Sequence, residues 1–305
     1  MCYSSLLPNK LALVMTIALL ATTNANAQVG TYSQDFNSLL QSDEAALGDD
    51  GWLVSGIVLD DFEIFKFFYG NFAAPNTGPV DGTDFLEWQR DDGTAVGLAG
   101  VLDTYGQLIG SAFSNLTVGQ GQDGPADQYL NTFSDYNCCG DNDGHPTGTD
   151  IVRSNILRET IIASEDIGRT VDFTFDITLP SGDLSDLALG SSGNSTGELF
   201  IRTISPAPDF ATSAEVIVPI SALGLTAGTW STHTLSFEIT SDLEGHFFQY
   251  GITNISTNFA PTGVYLDNVS LQDQVPSISA VPEPTAAVLV LTGLASLGSI
   301  TRRRR

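Results

Sequence analysis

Val171-Asp172-Phe173-Thr174-Phe175-Asp176-Ile177-Thr178-Leu179 alternates apolar and polar residues without a break. Five apolar positions fall on one side and four polar ones on the other, the period of a half-buried strand. Leu235, Phe237 and Ile239 repeat the pattern after Trp230. Further strands are predicted over 128–133, 198–204, 215–220, 246–252 and 264–271. Clusters such as Ser191-Ser192-Gly193-Asn194 and Ser205-Pro206-Ala207-Pro208 separate them, as turns should. Helical periodicity is confined to the two ends and one internal stretch. Many short strands at this spacing predict an all-β chain, a β-sandwich of jelly-roll type.

The internal exception covers residues 79–110. It contains Val80-Asp81-Gly82-Thr83-Asp84-Phe85-Leu86-Glu87-Trp88-Gln89-Arg90 and then Leu98 to Tyr105. This resembles half of a dockerin-type repeat, in which an aspartate-rich calcium loop leads into a short helix. Setting Asp81 and Asp84 at loop positions 9 and 12 puts Ala73, Pro75 and Thr77 at positions 1, 3 and 5, where oxygen ligands are required. Alanine and proline side chains cannot coordinate calcium. A short, mainly helical insertion packing Phe85 and Trp88 on the sandwich is expected, without a working metal loop.

Both ends carry export features. Lys10 precedes the apolar run Leu11 to Ala21, and Ala25-Asn26-Ala27 offers a small-x-small cleavage site with Gln28 as the first mature residue. Residues 1–27 therefore read as a signal helix. At the other end, Val281, Pro282, Glu283 and Pro284 lead into Thr285 to Thr301, seventeen residues without charge, and the sequence closes on Arg302, Arg303, Arg304 and Arg305. As a helix, seventeen residues reach about 25 Å, slightly short of a bilayer core. The arginines would stay cytoplasmic by the positive-inside rule, and the two prolines break the span from the body. A Pro-Glu-Pro triplet, one membrane-length helix and a basic cap resemble the PEP-CTERM sorting tail. The resemblance implies export, transient anchoring in the inner membrane and processing by an exosortase. Residues 279–305 are read as that tail, with a transmembrane helix at 285–301; a permanent anchor would share its physical features.

Between the ends, 28–278 forms the sandwich domain. Residues 28 to 281 hold 35 acids and six bases, a formal balance of −29. Such a surface repels nucleic acid and anionic lipid and favours solubility or divalent cations.

Tyr69-Gly70-Asn71-Phe72-Ala73-Ala74-Pro75-Asn76, Phe133-Ser134-Asp135-Tyr136-Asn137, Phe248-Gln249-Tyr250-Gly251 and Gly263-Val264-Tyr265-Leu266-Asp267-Asn268-Val269 carry a second likeness. The body resembles exported jelly-roll domains grouped loosely with carbohydrate-binding modules. In that group a closing strand ending Asp-Asn-Val lends its aspartate to a structural calcium with an early acid. The resemblance implies Asp267 and Asp35 as that pair. Asp141-Asn142-Asp143-Gly144 with Asp150 is a second oxygen-rich cluster, read as an Asx-rich turn because Cys139 holds the first loop position.

Cys138 and Cys139 are the two cysteines left after signal removal. Trans neighbours sit about 3.8 Å apart in Cα, below the roughly 4.4 Å that disulfides prefer. A strained vicinal ring is the reading preferred; two free thiols or links to another chain are the alternatives. His145 beside them gives only half a zinc site.

No catalytic constellation is visible. His145, His233 and His246 show no ligand spacing, and neither a nucleophile elbow nor a phosphate-binding glycine loop occurs. His233 reads as structural. Two classes remain: a non-catalytic glycan-binding module, for extracellular polysaccharide, and a structural surface or biofilm-matrix protein without a specific ligand. Glycan binding would use exposed aromatics, for which Trp52, Tyr136, Trp230 and Tyr250 are the candidates. A row of exposed rings favours the first class and their complete burial the second.

Overall fold

The computed structural model describes residues 28–40, 43, 45–60, 62–74, 103–109, 120–124, 127–135, 151–191, 195–256 and 262–274. The predicted signal (1–27), the sorting tail with its helix at 285–301, Tyr136, the Cys138–Cys139 pair and the 141–150 cluster lie outside them. Among the described residues, no helix is long and apolar enough to cross a membrane.

Twelve strands and one short helix make up the described body: β1 (Tyr32–Gln34), α1 (Ala46–Asp49), β2 (Trp52–Leu59), β3 (Phe65–Ala73), β4 (Asp103–Ile109), β5 (Tyr129–Asp135), β6 (Ile151–Ile161), β7 (Thr170–Thr178), β8 (Thr196–Ile204), β9 (Thr212–Pro219), β10 (Ser231–Glu238), β11 (Phe247–Ser256) and β12 (Val264–Asp273). Sheet 1 runs β10-β7-β12-β5-β4, with β1 beside the second half of β12. Sheet 2 runs β3-β2-β6-β11-β8-β9. Every strand pair is antiparallel. From β5 onward the chain crosses repeatedly between the sheets, the wrapping of a jelly roll.

The alternation of residues 171–179 produces this arrangement. Val171, Phe173, Phe175 and Ile177 of β7 are all buried in the core between the sheets. They meet Leu266 and Leu271 of β12 and, from sheet 2, Val54, Ile156, Leu199, Ile201, Phe248, Tyr250 and Ile252. Burying a large apolar side chain contributes roughly 1.5–3 kcal/mol, so this double layer supplies the main stabilisation.

The predicted insertion differs from expectation at its end. Asp103–Ile109 is strand β4, in register with β5 from Asp103↔Asp135 to Ile109↔Tyr129. Seven backbone pairs in one antiparallel ladder outweigh a helical reading of Leu98 to Tyr105. Residues 75–102 lie outside the described residues.

The ends of the described body are fastened together. Asp166, fully buried, accepts from the backbone N–H groups of Val29 at 3.0 Å and Ala163 at 2.9 Å. Arg169 pairs with Asp166 and, through Nη2 at 2.6 Å, with Asp273. A buried carboxylate needs such donors to offset its lost hydration.

Candidate functional site

Register fixes which side chains share a face, because directly paired residues project together. In sheet 2 the rows Trp52–Arg158–Tyr250–Ile201 and Val54–Ile156–Ile252–Leu199 face the core. The residues between them face outward and form three parallel rows.

The central row is Ala73–Leu53–Leu157–Gly251–Phe200–Ile217, crossing all six strands. Leu157 and Phe200 are buried yet do not belong to the inter-sheet core. Gly251 is required: a Cβ there would stand 2.2 Å from the Ile156 carbonyl oxygen. Backbone of β6 fills that space, and the row is covered at Leu157, Gly251 and Phe200, while Ala73 and Ile217 at its ends are exposed. One flanking row is Glu159–Gln249–Arg202–Glu215. Within it Arg202 Nε donates to Gln249 Oε1 at 2.7 Å, and Gln249 Nε2 donates to Glu159 Oε2 at 2.5 Å. The guanidinium also lies 4.4 Å above the Phe200 ring, a cation–π contact. The other row is Ser55–Asn155–Thr253–Glu198. There Thr253 Oγ1 donates to Asn155 Oδ1 at 2.7 Å, and Asn155 Nδ2 donates to Ser55 Oγ at 3.1 Å.

Electrostatics follow from burial. Loss of hydration pushes the Glu159 carboxyl above its ordinary value, while the Gln249 hydrogen bond and the Arg202 charge pull it back. The same desolvation lowers Arg202, opposed by Glu215 and Glu159. Most of this face is closed to solvent, since Leu157, Phe200, Gly251, Gln249, Asn155, Thr253 and Ser55 are all buried; it opens at its β9 end, where Ile217 and Glu215 are exposed beside half-buried Arg202. From Leu53 to Ile217 it spans about 19 Å at the usual strand spacing.

Sheet 1 presents a different outer face. Tyr129 packs edge-on to Trp230 at 5.5 Å and tilted on Tyr265 at 4.8 Å. Trp230 Nε1 donates to the Gln120 carbonyl at 2.7 Å. Asn131, opposite Tyr265, is fully buried with both ends of its amide unpartnered, and the Tyr265 hydroxyl is unpartnered too.

Farther along β12, Asp267 stands directly opposite Asp176, beside a bulge in which Asn268 takes φ 45. Like charges in direct cross-strand register are destabilising. Asp127 adds a third carboxylate, and burial plus these neighbours raise the Asp267 carboxyl to about 8. Hydrogen bonds occupy much of this cluster. Asp127 accepts from Asn37 Nδ2 at 3.0 Å and from Asp123 N at 2.9 Å, and Asp176 accepts from Asn268 Nδ2 at 3.0 Å and from the Thr232 hydroxyl. Asp35 is exposed and caps its own turn, accepting from Asn37 N at 3.1 Å. Asn37, two residues on, is the early-chain side chain that reaches Asp127. Among the described residues, no group of three or more His, Cys, Asp or Glu side chains is set to hold a metal ion. The donors are nonetheless all oxygen, the chemistry a hard cation takes.

The aromatic candidates separate by burial. Trp52 is fully buried, donating from Nε1 to the Tyr32 hydroxyl at 3.0 Å, and Tyr250 is buried 5.1 Å from Phe173. Both are core residues and cannot offer a face to sugar, a correction to the expectation from sequence. They point inward because their positions alternate with the outward rows. Trp230 is half-buried. His233 is structural, bonded to Ser231 at 3.0 Å and stacked on Phe175. Sequence reasoning missed Arg202, Gln249, Glu159, Asn155 and Thr253; the register of β6, β11 and β8 is the signal that gathers them.

No protein-family model matches the chain. No curated protein matches it. Among solved structures, it is similar to a carbohydrate-binding module of the β-sandwich superfamily, at 16% identity and TM-score 0.32, covering 73% of this chain and 74% of that one. It is also similar to the CBM22-1 xylan-binding domain of Paenibacillus barcinonensis Xyn10C, at 10% identity and TM-score 0.29, covering 57% and 86%. A third likeness, to the enzymatically active domain of bacteriophage CBA120 tailspike protein 4, has 11% identity and TM-score 0.32 and covers 56% of this chain but 18% of that one. The functional reading rests on the outer face of sheet 2, not on these likenesses.

Proposed function

We propose that this protein is an exported, non-catalytic glycan-binding module acting at the cell surface or in the extracellular matrix. The observation that carries the reading is the three-row outer face of sheet 2. A sugar chain has apolar ring faces and hydroxyl edges. Ile217, exposed at the β9 end of that face, offers an apolar contact for the former. Arg202 and Glu215 beside it offer a donor and an acceptor for the latter, with Arg202 already fixed by its bond to Gln249. Side chains locked before binding lose little entropy on binding. The acidic balance of the chain favours an uncharged glycan over an anionic one.

Export rests on the sequence features at 1–27 and 279–305, with an exosortase-type enzyme as the processing partner and the membrane as a transient one. Calcium belongs to the proposal as a structural ion. Asp267 keeps the place that the sequence resemblance gives it, but Asp35 caps its own turn, and among the described residues no three acids are set to hold the ion.

A glycan array probed with the full chain, followed by titration of the best neutral oligosaccharide, tests the reading. Arg202→Ala and Gln249→Ala are each expected to weaken binding about tenfold, the 1.4 kcal/mol of one well-placed polar contact. Binding to no glycan would leave the alternative, a structural matrix protein. Hydrolysis of the bound glycan would overturn the non-catalytic assignment.

A further inference from the structure

The last two strands of the described body hold both sheets together. β11 lies between β6 and β8 in sheet 2 and is paired along its length, from Phe247↔Ile161 to Ser256↔Val152 on one side and from Phe247↔Ile204 to Ile255↔Thr196 on the other. β12 lies inside sheet 1, with β7 along one edge and β5 followed by β1 along the other. Taking β11 away splits sheet 2 into β3-β2-β6 and β8-β9. Taking β12 away splits sheet 1 into β10-β7 and β5-β4, and leaves β1 without a strand partner among the described residues. Three of these remnants are two-stranded, and an isolated two-stranded unit is marginal in water.

Packing points the same way. Phe248, Tyr250 and Ile252 of β11 and Val264, Leu266, Val269 and Leu271 of β12 are all buried in the core between the sheets. Burial of seven such side chains is comparable with the whole net stability of an ordinary domain. Polar groups depend on the same strands. Asn155 takes the Thr253 hydroxyl, and Arg202 is held by Gln249. The first strand is bound to the last, since Tyr32 pairs with Leu271 and Gln272 Nε2 donates to the Tyr32 carbonyl at 3.2 Å. Beside them Asp166 accepts from Val29 N, and Arg169 joins Asp166 to Asp273. Neither end can be laid down early. Contacts this distant in sequence carry the closure entropy of the whole intervening chain before they stabilise anything.

We propose that residues 247–273 are a folding gate. The body stays open until these two strands are free and then closes in one step, so a chain crossing a membrane N-terminus first remains threadable until its end is delivered. The use in export rests on the export reading above, whereas the order of folding rests on topology, and the two fail separately. The full chain is refolded from urea while amide exchange is pulsed. β2, β6, β7, β8 and β10 should gain protection together with β11 and β12. Leu266→Ala in β12 and Ile252→Val in β11 should slow folding, the first about tenfold, with most of the lost stability appearing in that rate. Leu235→Ala in β10 and Val218→Ala in β9, on edge strands, should speed unfolding and leave the folding rate within about twofold. Protection of β7–β10 or of β3–β2–β6 ahead of β11 and β12 would overturn the gate. Edge variants that slow folding as much as the interior ones would do the same. In cells, surface protein beginning at Gln28 supports the export use; full chain retained inside with residues 1–27 attached would overturn that use and leave the order of folding standing.

Discussion

The outer faces of the two sheets are built from similar residues and solve opposite problems. On sheet 2, polar side chains lie in rows and satisfy one another sideways: Arg202 to Gln249 to Glu159, and Thr253 to Asn155 to Ser55. Charges of both signs are present, so the rows stand without help. On sheet 1, Asp176, Asp267 and Asp127 crowd one end with no base among the groups that shift Asp267, and Asn131 and Tyr265 hold unpartnered polar atoms. The difference teaches where each face can act. A self-satisfied row is prepared to exchange hydrogen bonds with a ligand at little reorganisation. A cluster of like charges instead demands a proton or a cation before the fold is stable.

The sharpest way to break the comparison is at Asp267. Its carboxyl is raised from 3.8 to about 8, so the folded state keeps a proton that the unfolded chain has lost. The resulting stability is fully present below about pH 4 and is lost as pH rises through about 8, a swing on the order of 3–5 kcal/mol. In chelator, the melting temperature should therefore fall across that window, and Asp267→Asn should flatten the fall. The proposed calcium would bind the ionised form and should then restore stability most at the alkaline end, by about 2.7 kcal/mol at a hundredfold excess over Kd. Melting curves at pH 9 that ignore calcium would remove the metal and leave the proton.

A smaller effect is expected at Trp230. Trp230→Phe keeps a ring against Tyr129 and removes the hydrogen bond to the Gln120 carbonyl. Urea unfolding should report a loss of about 1 kcal/mol, while oligosaccharide affinity stays unchanged. A loss of affinity with unchanged stability would move the glycan site from sheet 2 to sheet 1.

How much of this was legible in the sequence depends on how each strand is buried. β7 and β12 follow the alternation rule closely enough to announce the sandwich. β6 did not: in Ile151–Ile161 the outward positions hold Arg153, Asn155, Leu157 and Glu159, and Ser154 is buried on the core side. A strand covered on both faces loses its period, and its polar residues read as loop. β2 was hidden by the same mixture. The outward rows of sheet 2 were illegible for a related reason. They include residues 155, 157, 159, 200, 202, 249, 251 and 253, and only strand register brings them together. Asp267 was legible through the Asp-Asn-Val ending; its partners Asp127 and Asp176 were not, since no spacing rule links them. Trp52 and Tyr250 misled because aromatic type was read without knowing which way each strand turns.

The smallest effect sharpens the sheet 2 side. Glu159 is raised by burial and restrained by Gln249 and Arg202. As pH falls from neutral, it should take up a proton before an exposed glutamate does. The neutral acid is a poorer acceptor for Gln249 and no longer balances Arg202, so the row loosens. Glycan affinity should then fall a few-fold, the scale of one weakened charge-assisted bond, and recover on returning to neutral pH. Glu159→Gln keeps the shape and removes the titration. That variant should bind at neutral pH like the acidified wild type and show no pH dependence between. If its affinity still falls with acid in parallel with the wild type, another group controls binding. The row from Glu159 to Arg202 would then be scaffold beneath the ligand site, not part of it.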